Sequence, residues 1–217
     1  TEHNRIDSYL PHLVQLNAEK FMATCTGMEL TGRPLPVNHQ NAFPLHHHPH
    51  TQDGGGPTTH SNPVVQIERL AKWDADSEKL VQENHPLLEQ IWADQDLDGE
   101  KDAGFERMFG FMDVIEVHPP ADIFAKPGTK TGQYSNVIQS WLRMLNKGYR
   151  IPGVVNTDAH YNFHGSGWLR NYIKSSSDKP AEIETMEMVR QSERGHVVMT
   201  NGPFLEVTAS SGEKTAL

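Results

Sequence analysis

The sequence predicts an α/β fold in which short strands alternate with helices. Segments of strand length and segments of helical periodicity follow one another along most of the chain. Four of the short strands end on a side chain or pair of metal-ligand type: Glu29, His85, Glu116, and Asp158 with His160. The low apolar content, 36%, is concentrated in one Pro/Gly/His-rich stretch, so it does not indicate general disorder. In parallel α/β barrels, side chains at the C-terminal ends of strands converge on one face, and the chemistry sits there. The strand-end pattern therefore fits a functional site better than scattered surface charge.

The elements follow in order. Asp7 or Ser8 is placed to cap a helix through about Phe21, with Leu10, Leu13, Val14 and Leu16 on it. Met22 to Leu30 reads as a strand ending at Glu29. Residues 31–62 hold three consecutive glycines, several prolines and His46-His47-His48-Pro49-His50, and read as one long loop. Asn62-Pro63 starts a helix whose apolar face is Val64, Ile67, Leu70 and Ala71. Leu80-Val81 opens a short strand into Asn84-His85-Pro86. Residues 87–112 mix helix and acidic loop, and Asp113 to Val117 is the next strand. Val137, Ile138, Trp141, Leu142 and Leu145 recur at helical spacing, with Gly148 as the stop. Gly153 to His160 is a strand running into polar residues. Pro180 opens a helix through Ile183, Met186 and Val189, closed by Gly195. Val197 to Thr200 is a strand, and Phe204 to Val207 starts another.

At 217 residues the chain can bury a full core. We expect one domain over 1–207, with 208–217 a C-terminal tail or the start of a further β-domain. Net charge is −9, from 19 Lys+Arg against 28 Asp+Glu, which argues against nucleic acid or an anionic membrane as the main partner. No apolar run approaches the roughly 20 residues of a membrane span. Cys25, the lone cysteine, excludes an intrachain disulfide framework and a cysteine-rich zinc knuckle, but it does not assign a compartment. The chain opens on Thr1-Glu2-His3-Asn4 without an initiator methionine, so residues upstream are expected.

His, Asp and Glu are the ligands a hydrolase uses for Zn²⁺, Mn²⁺ or Fe²⁺. Imidazole offers directional nitrogens, and a carboxylate neutralises charge and can bridge two ions. The sequence has no His-Glu-x-x-His motif, so a site must be assembled from distant strands. For any one strand-end histidine alone, a hydrogen-bonded core or surface role is the plainer reading.

Seven segments occur in order: Thr1-Glu2-His3-Asn4, Gly27-Met28-Glu29, Asn38-His39-Gln40-Asn41-Ala42, Asn84-His85-Pro86, Asp113-Val114-Ile115-Glu116-Val117, Asn156-Thr157-Asp158-Ala159-His160 and Thr200-Asn201-Gly202-Pro203-Phe204. This ordered set resembles the polymerase-and-histidinol-phosphatase (PHP) domain superfamily, in its branch of carbaryl-hydrolase-type metallohydrolases. The resemblance spans the chain outside 44–62 and 92–104. It implies a distorted (β/α)7 TIM-like barrel holding two or three divalent metal ions (Zn, Mn or Fe).

Carried over by position, Glu29 is implied as the bridging carboxylate, with His39 and His85 completing one ion's ligands. His3 and His160 would serve a further ion, and Asp158 the remaining one. Asp158 and His160 are the expected catalytic pair and Arg170 an expected substrate contact, while Glu116 matches a motif strand as a substrate contact, a metal ligand or a residue that orients a ligand. Two departures stand out. The family's Thr-Asp-His-Asn is here Thr1-Glu2-His3-Asn4, and its His-x-His first strand is expected upstream of Thr1, outside this chain. The implied function is hydrolysis of a phosphoester or a carboxylic or carbamate ester of a small-molecule substrate by metal-activated water. The alternative is a non-catalytic metal- or ligand-binding domain with an incomplete site.

Other motifs are weaker. The His46–His50 run reads as a solvated or substrate-facing loop, with extra ligands or a metal-gathering flap as alternatives. Asp94-x-Asp96-x-Asp98-Gly99 resembles the start of a calcium loop, but Phe105 occupies the twelfth position and Glu106 follows it, one residue out of register. Gly165-Ser166-Gly167 lacks the strand of a nucleophile elbow and reads as backbone passing close to the site. Arg170 and Lys174 follow it as candidate anion contacts.

Overall fold

The computed structural model describes residues 2–33, 37–86, 88, 91, 105–117, 137–160, 167–212 and 214–216. Within them the fold is mixed α/β. A six-stranded sheet contains β1 (Glu2–His3), β2 (Met28–Thr31), β3 (His39–Phe43), β4 (Leu80–Glu83), β5 (Val114–Glu116) and β6 (Gly153–Val154), neighbouring one another in chain order. The β1–β2, β4–β5 and β5–β6 pairs are parallel, whereas β3 is antiparallel to both β2 and β4. Five strands therefore point one way and β3 alone is reversed. The C-terminal ends of the five and the N-terminal end of β3 thus share one edge of the sheet.

Register assigns the two faces. Glu29 lies opposite Asn41, and Asn41 opposite Gln82, while Met28, Ala42 and Val81 form the adjacent row. Side chains alternate faces along a strand, so one face collects Met28, Leu30, Ala42, Val81 and Ile115. These pack with Val64, Ile67 and Leu70 of α1′s successor in the chain, α2 (Pro63–Ala71), α1 being Leu10–Gln15. Ile67 and Leu70 are fully buried, and each such side chain contributes roughly 1.5–3 kcal/mol. Asn62 caps α2 by accepting from the backbone N–H groups of Val64 and Val65, worth about 1 kcal/mol.

The opposite face is divided. Leu80, Val114 and Val154 pack against Val189 of a later helix, Thr185–Glu193. Toward the strand C-terminal ends the same face is polar and borders a cavity. With α3 (Val137–Asn146) preceding it, the Thr185–Glu193 helix is α4. It lies between β7 (Arg170–Ile173) and β8 (Val197–Thr200), which pair antiparallel. β9 (Ala209–Ser211) and β10 (Lys214–Ala216) form a C-terminal hairpin.

Several expected elements are corrected. The stretch 31–62 is not one loop, because β3 lies within it. His39-Gln40-Asn41 carries no apolar alternation: one face serves the site, and the buried Gln40 is satisfied by a hydrogen bond from Gln66 Nε2 at 2.6 Å. β2 begins at Met28 and runs past Glu29 to Thr31, so Glu29 is its second residue, not its end. α1 is shorter than expected and has no side-chain cap. The Asp7 carboxylate accepts from the N–H of Ser8, and Leu10, Val14 and Leu16 remain exposed, so no buried face extends the helix to Phe21. The helix expected from Pro180 is split: Pro180–Glu182 is a 3-10 turn, Ile183 is extended, and α4 starts at Thr185. Phe204–Val207 forms no strand. α3, by contrast, follows its periodicity, and Gly148 beyond it has a φ of +96°. The Asp94–Gly99 motif and Gly165-Ser166 lie outside the described residues. Gly167 has a φ of +81°, with open space where a side chain would stand.

Candidate metal centre

The shared edge of the sheet gathers the site. His3 ends β1, Glu29 lies on β2, and His39 begins the reversed β3. His85 follows β4, Glu116 ends β5, and Asp158 and His160 follow β6. Reversal of β3 is what brings His39 to the same edge as the others. Asn4, His85 and Asp158, each just past a strand, have φ values of +54°, +31° and +45°. Such left-handed backbone costs about 1–3 kcal/mol where it is strained, and it clusters at functional sites.

Glu29 is the centre of the cluster and is 6% exposed. Its Oε2 lies 3.0 Å from His3 Nε2, whereas its Oε1 lies 3.4 Å from His39 Nδ1 and 3.9 Å from His85 Nε2. The two oxygens thus face different histidines. The His39 and His85 rings meet edge-on at 5.0 Å, and those of His3 and His160 at 5.6 Å. His160 Nε2 is 3.2 Å from Asp158 Oδ1. Burial would raise the Glu29 carboxyl, but hydrogen bonding with His39 and Asn84 and the charges of His3 and His39 outweigh it and hold it at about 2.

The neighbouring carboxyl behaves in the opposite way. Glu116 is 1% exposed, and its Oε2 accepts from the backbone N–H of His85 at 2.6 Å. Burial, reinforced by the negative charges of Asp158 and Glu29, pushes it up to about 8 against that hydrogen bond. Two carboxyls in one site are driven apart: one stays ionised and the other holds its proton at neutral pH.

No family model, no curated protein and no solved structure matches the chain. The donor set is therefore judged on its own chemistry. One ligand atom from each of Glu29, His39 and His85 lies within 4.8 Å of the other two, with Glu29 and His85 buried and His39 partly so. A carboxylate and two imidazoles, converging and buried, fit a divalent transition metal. His3, Asp158 and His160 stand next to this group across the second Glu29 oxygen.

A cavity of about 870 Å³ opens from the cluster along the polar face of the sheet. Glu116 and Arg170 both line it, and Lys174 does not. Arg170 has no ion-pair partner among the described residues. The His46–His50 loop stands apart from the cluster: the backbone N–H of His46 and, at 3.5 Å, its Nδ1 approach Asp74 Oδ2 instead. Backbone hydrogen bonds tie it down, since the N–H of His48 bonds the Gly54 carbonyl and the N–H of Ile6 bonds that of Asp53.

The residues that sequence reasoning passed over are amides. Asn84 Nδ2 donates to Glu29 Oε1 at 3.0 Å, and Gln82 Nε2 donates to Asn84 Oδ1 at 2.7 Å. Asn4 joins β1 to β2 through the N–H and hydroxyl of Thr31. Asn171 grips both backbone groups of Val155, at 2.9 and 2.8 Å, fastening β7 to the segment that carries Asp158. Adjacency to His3 and His85 was the available signal for Asn4 and Asn84. Gln82 and Asn171 had none.

Proposed function

We propose that this chain is a metal-dependent hydrolase domain acting on a phosphoester or a carboxylic or carbamate ester of a small molecule. The observation that carries the reading is the division of Glu29, one oxygen toward His39 and His85 and the other toward His3, as a bridging carboxylate requires. On this reading Glu29, His39 and His85 hold one divalent ion (Zn, Mn or Fe), and His3, His160 and Asp158 serve the second or third. The PHP resemblance supports the same assignment. With it goes a distorted (β/α)7 barrel, supported by five codirectional strands in chain order, although the reversed β3 departs from that pattern.

A bound divalent metal supplies Lewis acidity and makes water a nucleophile near neutral pH. The remaining work falls to the chain. Glu29 stays ionised and holds the cluster together, and Glu116 fixes the backbone at His85. Asp158 Oδ1, 3.2 Å from His160 Nε2, would orient the ring and take a proton from that nitrogen. Arg170 on the cavity wall, without an ion-pair partner among the described residues, offers a cation to an anionic substrate group.

Elemental analysis of protein purified without added metal tests the reading, together with turnover of p-nitrophenyl phosphate and a simple aryl ester. At least about one transition-metal ion per chain is expected for this ligand density. Protein that is metal-free and takes up neither Zn²⁺ nor Mn²⁺ refutes it. Stoichiometric metal without turnover favours a non-catalytic metal-binding domain.

A further inference from the structure

Leu80, Gln82 and Asn84 alternate along β4 and its extension, so all three face the polar side of the sheet. Gln82 is 3% exposed and Asn84 5%, and buried amides are nearly always hydrogen-bonded. Gln82 Nε2 donates to Asn84 Oδ1, and Asn84 Nδ2 donates in turn to Glu29 Oε1, crossing over β3 to reach β2. A primary amide has a donor end and an acceptor end. With its oxygen engaged by Gln82, Asn84 can present only its N–H₂ to Glu29. Without that engagement Asn84 Oδ1 loses its donor, and the amide loses the partner that holds its plane toward Glu29.

We propose that Gln82 and Asn84 are positioning residues, a relay that fixes the Glu29 carboxylate so that Oε1 stays with His39 and His85 and Oε2 with His3. This rests on the metal-centre reading above. Asn84 occupies one lone-pair direction of Oε1 and leaves the other toward the histidines. Among the described residues Gln82 hydrogen-bonds neither Glu29 nor a histidine of the cluster, so it acts through Asn84.

The test uses the full chain as wild type, Gln82→Met, Asn84→Leu and the double variant, each stripped of metal. Zn²⁺ affinity is read by competition with a chromophoric chelator, the Co²⁺ visible absorption reports the ligand field, and melting of the metal-free proteins reports the fold. Removing a partner that orients a ligand typically costs 10–100-fold in affinity. Asn84→Leu is expected in that range and Gln82→Met near about tenfold at its lower end, each with an altered Co²⁺ spectrum. The double variant should bind no more weakly than Asn84→Leu, because residues acting in series are not additive. Additive losses, or a Gln82→Met protein with wild-type affinity and spectrum, overturn the relay alone. If Asn84→Leu does not fold, the affinity and spectrum of Gln82→Met decide the matter. A wild-type chain that takes up neither ion overturns the metal-centre reading, and the relay with it.

Discussion

Replacing Glu29 by Gln keeps the size and shape of the side chain and removes its charge. In the structure that charge lies within 4 Å of three imidazoles, and its oxygen belongs to a donor set spanning no more than 4.8 Å. At an effective dielectric near 20, a unit charge 4 Å from a cation contributes about 4 kcal/mol per cationic charge. The hydrogen bonds a Gln amide restores offset about 1 kcal/mol each. Glu29→Gln should therefore weaken divalent metal binding by well over 100-fold. Glu116→Gln, which reaches the cluster only through the N–H of His85, should stay within the roughly 10–100-fold typical of an outer partner. Calorimetric titration of Zn²⁺ and Mn²⁺ into both metal-free variants at pH 7 measures the difference. Melting of the metal-free proteins shows that the fold survives. Equal losses in the two variants would refute the central role of Glu29, and wild-type affinity in Glu29→Gln would refute the site.

Three further outcomes are expected. Burial raises the Asp113 carboxyl from its ordinary 3.8 to about 6, while its Oδ2 accepts from the N–H of Val81, a bond that Asn can also accept. The folded chain keeps this proton to about pH 6 and the unfolded chain releases it near 3.8, so ionisation opposes folding. Asp113→Asn should then gain up to about 3 kcal/mol above pH 6, less what water screens, and lose the gain as pH falls to 3.8. Denaturant melts at pH 7.5 and 4 check this, and a gain equal at both pH values would contradict it. Gly54 has a φ of +66°, and a Cβ there would stand 2.0 Å from the Ile6 carbonyl oxygen; Gly54→Ala should cost more than the about 1–2 kcal/mol of the left-handed backbone alone. Chemical denaturation reads that loss. Changing His46, His47, His48 and His50 together to Ala should leave the metal content at its wild-type value by elemental analysis, and a lost ion would make the loop a ligand.

The sequence by itself determined the elements with strong local signals. Asn62-Pro63 and the apolar spacing of Val64, Ile67 and Leu70 specify α2, because a cap and a buried stripe are local properties. Val137 to Leu145 specify α3 in the same way, and the short apolar runs before Glu83, Glu116 and Thr200 specify β4, β5 and β8. Where signals are nonlocal, tertiary structure decided. The first three residues of β3, His39, Gln40 and Asn41, are polar on both faces, and their strand conformation depends on Gln66 from α2 and on neighbours β2 and β4. Its reversal is invisible in residue spacing, yet it carries His39 to the edge where Glu29 and His85 meet. Ligand residue types were legible one by one, since imidazole and carboxylate declare their chemistry. The division of the two Glu29 oxygens between histidine groups was not, nor was the amide chain from Gln82 through Asn84. Those depend on which strands pair and in what register, and hydrogen-bond partners up to 55 residues apart in the chain leave no local trace.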